Sequence, residues 1–198
     1  MASTEEAHRT RPGAGRQALI EAAVRVVGDG GLRQLTYREV AREAGVTQGL
    51  VTHHFGSRSE LVRAALEHAS RTSLARSPIK PPPERLEDLS AGLARRVAEA
   101  PGEEAFQFEI ALEARRRADL APLAIELYDG YLEATATALA AVGVPGDRDL
   151  ARLVFAAIAG LAFQQLVTGE SAGTTSSHAI LHELLAMVRD RDGRKELR

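Results

Sequence analysis

One stretch, Leu35 to Leu61 (LTYREVAREAGVTQGLVTHHFGSRSEL), constrains this chain more than any other. It opens with a capping box: the Thr36 hydroxyl can accept from a first-turn N–H, and Glu39 can reach back to the cap. Val40, Ala41 and Ala44 give the short helix that follows one apolar face. Gly45 can take the left-handed conformation that ends it, and Val46 is expected to plug the turn. Thr47 is expected to cap a second short helix, Gln48 to about His54. That helix turns Gln48, Thr52, His53 and His54 outward, while Leu50 and Val51 supply apolar contact. Helix, tight turn and second helix predict a helix-turn-helix, whose second helix enters the DNA major groove. Phe55 should lock that helix onto its module, and Ser57 with Glu60 forms another capping box for a third helix.

Thr36, Ala44-Gly45-Val46, Thr47, Gly49, Val51-Thr52, His54-Phe55, Ser57-Arg58 and Leu61 together resemble the tetracycline-repressor (TetR) family of bacterial regulators. The resemblance covers about 50 residues from Arg16 onward. Two positions depart from the family pattern. Thr52 stands where a phosphate-binding tyrosine is usual, so that contact becomes shorter or water-mediated. Arg58 replaces a lysine and keeps its charge. The resemblance implies a homodimer formed through the last two long helices, and a repressor that releases its operator when a small molecule binds.

Composition bounds the rest. Hydrophobic residues make up 44%, enough for a core, yet aromatics are only 4% and tryptophan is absent. An apolar content carried by alanine and leucine favours close-packed helices over a sheet. With no cysteine, disulfides, thiolate catalysis and Cys-based zinc sites are excluded. The N-terminus lacks an apolar run, so no secretion signal is expected. The longest apolar run, Leu153 to Phe163, is short for a lipid-spanning helix, and no membrane partner is expected. The net charge of -2 looks wrong for a DNA binder until it is divided. Residues 1–58 hold eight Arg/Lys against six Asp/Glu, leaving the remainder at -4. A weakly basic head on an acidic body fits, because only the field at the interface must be positive.

The fold expected is all-α: a three-helix helix-turn-helix head and a larger helical body for ligand binding and dimerisation. Residues 1–15 read as a flexible arm, 16–60 as the DNA-binding domain and 61–198 as the effector-binding and dimerisation domain. Arg9, Arg11 and Arg16 of the arm could reach a phosphate or minor groove, or the arm is a solubilising tail. Helices are expected over 16–28, 58–75, 84–99, 103–117, 119–142, 148–168 and 177–190, with residues 169–176 as loop. Pro78 and Pro81 to Pro83 make a stiff connector, and Asp119 is expected to cap its helix. The 148–168 segment is apolar nearly all round and must be covered on several sides.

Gln48 and His53 are the candidates for base edges, with Gly49 beside them. Thr36, Tyr37, Thr47, Thr52, His54 and Arg58 read as phosphate or groove-wall contacts. In the body, Phe106, Phe108, Leu112, Tyr128, Phe155 and Phe163 could line a ligand site between helices, with Gln164 and Gln165 as polar contacts. Each of these also fits a place in the core, and an apolar or aromatic effector follows only if they converge. His178 and His182 have metal-chelating spacing beside Glu183, but HxxxHE lacks the HExxH order, and they read as exposed helical histidines. Arg115 to Arg117 read as a solvated face, or as ion-pair partners for nearby glutamates, rather than an anion site. No cofactor, metal or catalytic residue is expected, and the protein is read as a cytoplasmic regulator that binds double-stranded DNA. The rival reading is a helical enzyme or ligand-storage protein in which the helix-turn-helix is only a structural corner.

Overall fold

The computed structural model describes residues 14–75 and 82–196. The arm up to residue 13, with Arg9 and Arg11, and the Pro78–Pro81 part of the connector lie outside them. Nine α-helices follow one another among the described residues, with no strand. They are α1 (Ala14–Gly30), α2 (Tyr37–Ala44), α3 (Gln48–Phe55), α4 (Arg58–Ala75), α5 (Leu93–Glu99), α6 (Pro101–Ala114), α7 (Ala121–Ala141), α8 (Arg148–Thr168) and α9 (Ser171–Glu196). Short 3-10 turns at Leu32–Gln34 and Leu86–Asp88 punctuate them. By its contacts the chain divides into two units, Met1–His68 and Ala69–Arg198, so the division falls inside α4.

In the first unit, the apolar stripe of α1 (Leu19, Ile20, Ala23, Val27) is buried together with Leu35, Val40, Val51, Phe55, Leu61, Val62 and Leu66. Burial of each Val, Leu or Phe side chain contributes roughly 1.5–3 kcal/mol before conformational entropy is counted. The apolar stripes of α1 and α4 let two short helices, α2 and α3, be held without much core of their own.

The second unit has two apolar clusters. One joins Leu86 and Leu89 to Ala138, Leu139 and Val142 of the α7 end, Ala151 and Val154 of α8, and Leu185 of α9. The other is Leu93 and Val97 of α5 against Ala162, with Ile158 and Leu166 at its edge. This division corrects the single helix expected over 84–99. One straight helix puts residues 86, 89, 93 and 97 on one stripe, but here they serve two different clusters. The chain therefore breaks between them, with Ser90 at φ 81° and Gly92 at φ 76°.

Other boundaries also move. Asp119 does not cap α7, which starts at Ala121 without a side-chain cap; its carboxylate takes the Arg117 guanidinium at 2.6 Å instead. That bond holds the Asp119 carboxyl below its ordinary value. The Ser/Thr-rich stretch expected as loop forms the first turns of α9. Such residues favour turns by local propensity, but Ser171 Oγ accepts from the buried Gln165 Nε2 at 3.0 Å, and Thr174 is buried. Tertiary contact overrides propensity there. Helix α8 matches its expected span, capped by Asp147 Oδ1, which accepts from the Asp149 and Leu150 amides. As a whole helix it is long and apolar enough to cross a membrane by length and composition, which the shorter apolar run does not suggest.

Candidate nucleic-acid interface and ligand cavity

The turns of the head are closed by bonds between neighbours in sequence. Thr36 Oγ1 accepts from the Glu39 amide at 3.2 Å. Glu39 does not return to the cap; its carboxylate accepts from Arg42 Nε at 2.8 Å, which draws its pKa down. Gly45 ends α2 at φ 68°, a left-handed conformation that suits glycine. The Val46 amide then closes the turn on the Ala41 carbonyl at 2.9 Å. The Val46 side chain stays exposed rather than plugging the turn. Thr47, expected to cap α3, makes no side-chain cap bond.

Helix α3 buries Val51 and Phe55 and leaves Thr47, Gln48, Gly49, Thr52 and His53 exposed, with His54 half-buried. The Thr52 hydroxyl donates to the Gln48 carbonyl at 3.2 Å, which fixes its rotamer along the helix. His54 meets both His53 and Phe55 edge to face, at 5.5 and 6.4 Å. The Arg16 guanidinium lies 5.1 Å over the Phe55 ring, which fixes the far end of the helix.

Two residues expected at the groove wall have tasks inside the head. Arg58 Nε donates to the Leu35 carbonyl and one of its terminal nitrogens to the Leu32 carbonyl, both at 2.9 Å. The Tyr37 hydroxyl is enclosed, with no hydrogen-bond partner among the described residues. Sequence reasoning passes over Arg38, whose side chain is 83% exposed beside Glu39 at 3.6 Å. Its position in the first turn after the Thr36 cap is the available signal.

The second unit contains a cavity of about 90 Å³. Of the residues expected there, Phe108, Tyr128 and Phe155 line it, while Phe106, Leu112, Phe163 and Gln164 do not. Phe106 is core at 1% exposure. Leu112 is 56% exposed. Phe163 lies on the surface and packs edge to face on Phe108 at 5.1 Å. Gln164 is exposed, whereas its neighbour Gln165 is buried and donates to the Ala94 carbonyl at 2.6 Å.

The cavity also recruits side chains that the sequence does not single out for it: Arg96, Glu104, Gln107, Tyr131 and Thr135. Tyr131 stacks on Phe155 at 5.1 Å and 17°, and its hydroxyl donates to Gln107 Oε1 at 2.8 Å. Tyr128 meets Phe155 edge to face at 5.8 Å. These rings converge from α6, α7 and α8, so no single-helix pattern announces the set. The arrangement is a stack of aromatic walls with one ion pair, Arg96 on Glu104, among its lining residues. Among the described residues it holds no nucleophile paired with a base.

His178 and His182 are not the exposed histidines expected. His178 is buried, and the Nε2 atoms of both are enclosed without a hydrogen-bond partner among the described residues. Burial pushes the His178 pKa below its ordinary value. Among the described residues no group of three or more His, Asp or Glu could hold a metal.

A helix-turn-helix unit followed by a helical unit with an aromatic cavity is the make-up of a transcription regulator. The family model described as "Bacterial regulatory proteins, tetR family" matches residues 19–65. A second, "Tetracyclin repressor-like, C-terminal domain", matches residues 81–190. The chain belongs to the tetracycline-repressor family of DNA-binding regulators and not to a family of enzymes. The HTH-type transcriptional regulator BetI of Rhizobium meliloti (strain 1021) is 47% identical over 51 residues. That likeness spans 26% of this chain and only 25% of BetI. The multidrug binding protein EbrR, crystallised with malachite green, is 34% identical, with a TM-score of 0.61 over 86% of this chain and 97% of its own. EbrR complexed with ethidium gives 33%, 0.63, 86% and 98%. A TetR-family regulator from Agrobacterium tumefaciens shares the fold at 16% identity, with a TM-score of 0.74 over 88% of this chain and 98% of its own.

Proposed function

We propose that this chain is a homodimeric repressor that holds a palindromic operator until a small aromatic molecule enters its cavity. The observation that carries the DNA half of this reading is Gly49. A glycine inside a helix costs ~1 kcal/mol relative to alanine. Among the described residues a Cβ at Gly49 would meet nothing closer than Thr47 Oγ1 at 3.9 Å, so their packing does not call for a glycine. The close approach that needs the missing side chain comes from outside, as when a DNA strand lies against the helix. Gln48 and His53 flank that spot and read base edges. Thr36, Thr47, Thr52 and His54 meet the groove wall, Arg38 a phosphate, and Tyr37 and Arg58 position the module.

The dimer reading is supported by exposed apolar residues along each of the last two helices. On α8 these are Leu153, Phe163 and Val167, and on α9 Ile180, Leu184 and Met187. Gly160, midway along α8, also has nothing within 4 Å of where a Cβ would stand. A partner helix can lie close there, and the same two helices from a second copy complete a four-helix interface. A lipid surface fits less well, because Glu183, Arg189 and Asp190 accompany the α9 residues.

The aromatic walls favour a flat effector, and the similar EbrR is complexed with malachite green and with ethidium, both aromatic dyes. A ligand there favours whichever body conformation fits it best, and so shifts the population of body conformations toward that one. α4 is continuous from Arg58 to Ala75 and carries that preference to the head. Two recognition helices must sit ~34–36 Å apart to dock together, so a small change in separation weakens binding. The protein acts where its DNA is, in the cytoplasm.

The test is an operator titration by fluorescence anisotropy, with and without a ligand already shown by calorimetry to fill the cavity and not to bind free DNA. Operator affinity should fall at least about tenfold, and operator should weaken the ligand by the same factor. An occupied cavity with unchanged operator affinity would sink the switch.

A further inference from the structure

We propose that the cavity selects positively charged aromatic molecules, because it already holds a cation that a ligand can replace: the Arg96 guanidinium on Glu104. This deepens the effector reading above and rests on it. Arg96 of α5 and Glu104 of α6 both line the cavity and meet at 3.1 Å, Nε to Oε1. Their enclosure is unequal. The Glu104 side chain is 13% exposed and that of Arg96 31%. A carboxylate so enclosed needs a cation beside it, whereas the long arginine stem lets its guanidinium turn to water at small cost.

Among the described residues no second cation lines this cavity, and Gln107 Oε1 is already engaged by the Tyr131 hydroxyl. Glu104 is therefore the anionic acceptor that a ligand meets. The stacked Tyr131 and Phe155 present ring faces whose quadrupole also attracts cations. A flat cation gains from rings and carboxylate together; its neutral isostere gains from the rings alone. The exchange also acts on the fold. Arg96–Glu104 is a polar tie between α5 and α6, and α5 is a seven-residue helix preceded by the positive φ angles of Ser90 and Gly92. A cation that takes Glu104 releases α5 from α6, whereas a neutral ligand leaves the tie in place.

The experiment is calorimetry on the full chain without DNA, in mildly alkaline buffer, with N-methylacridinium against acridine, which is neutral there. Wild type should bind the cation tighter by about tenfold or more. Glu104→Gln should bring the cation down toward the level of acridine, with a much smaller change in acridine itself. Arg96→Met should tighten the cation and shift acridine by less than about threefold; it also carries the test should Glu104→Gln fail to fold. Equal binding of both probes to wild type would overturn charge selection while leaving an aromatic effector site standing. Loss of both probes alike in Glu104→Gln would make the pair a scaffold and overturn the exchange. Binding of neither probe to wild type would remove the effector reading and this inference with it.

Discussion

The head and the body end most of their helices by different means. The exceptions are α3 in the head, which lacks a side-chain cap, and α8 in the body, which Asp147 caps. In the head, Thr36 and Ser57 accept from amides three residues on, and Gly45 turns the chain. In the body, α6 and α7 begin without a side-chain cap, and the break before α5 comes from leucines that serve different clusters. The helix ends of the head are fixed by near neighbours in sequence. The body is fixed by contacts between distant helices, and two of those helices still present apolar residues to the outside. Local chemistry sets the helix ends of the head; distant packing sets the body and leaves apolar residues of α8 and α9 exposed.

The sharpest way to break that contrast is Leu184→Glu. If the body is completed by a partner, a charge among the exposed apolar residues of α9 is buried unpaired and dimerisation is lost, with operator affinity falling by about 100-fold or more. Sedimentation that still shows a tight dimer would place the interface elsewhere. Next in size is Gln48→Ala, expected to cost ~1–3 kcal/mol on the preferred operator and far less on random duplex. Anisotropy at one fixed salt concentration checks it, and equal losses on both DNAs would make Gln48 a positioning contact.

A smaller effect tests the body's distant packing. Ser90 holds φ 81° and a buried hydroxyl with no partner among the described residues, both unfavourable. Ser90→Gly should therefore stabilise the body by ~0.5–1 kcal/mol, read as a shift in urea midpoint. Unchanged or lower stability would mean that the turn is not strained. The smallest effect is pH-dependent. The His178 pKa is lowered in the folded state, by burial first and by His182 second. The unfolded chain then binds the proton more readily, so stability is complete above the ordinary value of 6.5 and declines as pH falls below it. His182 and Glu87, which feel each other's charge, belong to the same neighbourhood. His178→Phe should flatten this part of the pH–stability curve; an unchanged slope would assign it to other groups.

The same contrast sets how much of the molecule is legible in its residues. Thr36, Gly45 and Ser57 act within one turn of chain, so their spacing alone locates α2 and the start of α4. Arg58 reads as a DNA contact because charge is visible in a sequence, whereas its two carbonyl acceptors lie more than 20 residues away. In the cavity, Phe108, Tyr128 and Phe155 are recognisable from their ring chemistry. Tyr131 is hidden among the apolar residues of its own helix, and Arg96 and Glu104 meet only because the chain turns at Pro101. His178 reads as exposed if the helix begins at residue 177. With α9 starting at Ser171, it sits well inside the helix and against the rest of the body.

Arg58 has one more consequence. Its planar group spans two carbonyls, those of Leu32 and Leu35, on the turn that leads into α2. A group attached at two points acts as a cross-brace, since sliding α4 along that turn must break both bonds at once. A lysine there has a single point of attachment and permits rotation about it. Amides of the braced turn and of the first turn of α4 should then exchange with solvent in one cooperative opening rather than fraying one by one. A frame of that kind is tuned through how it is carried and not through how it bends.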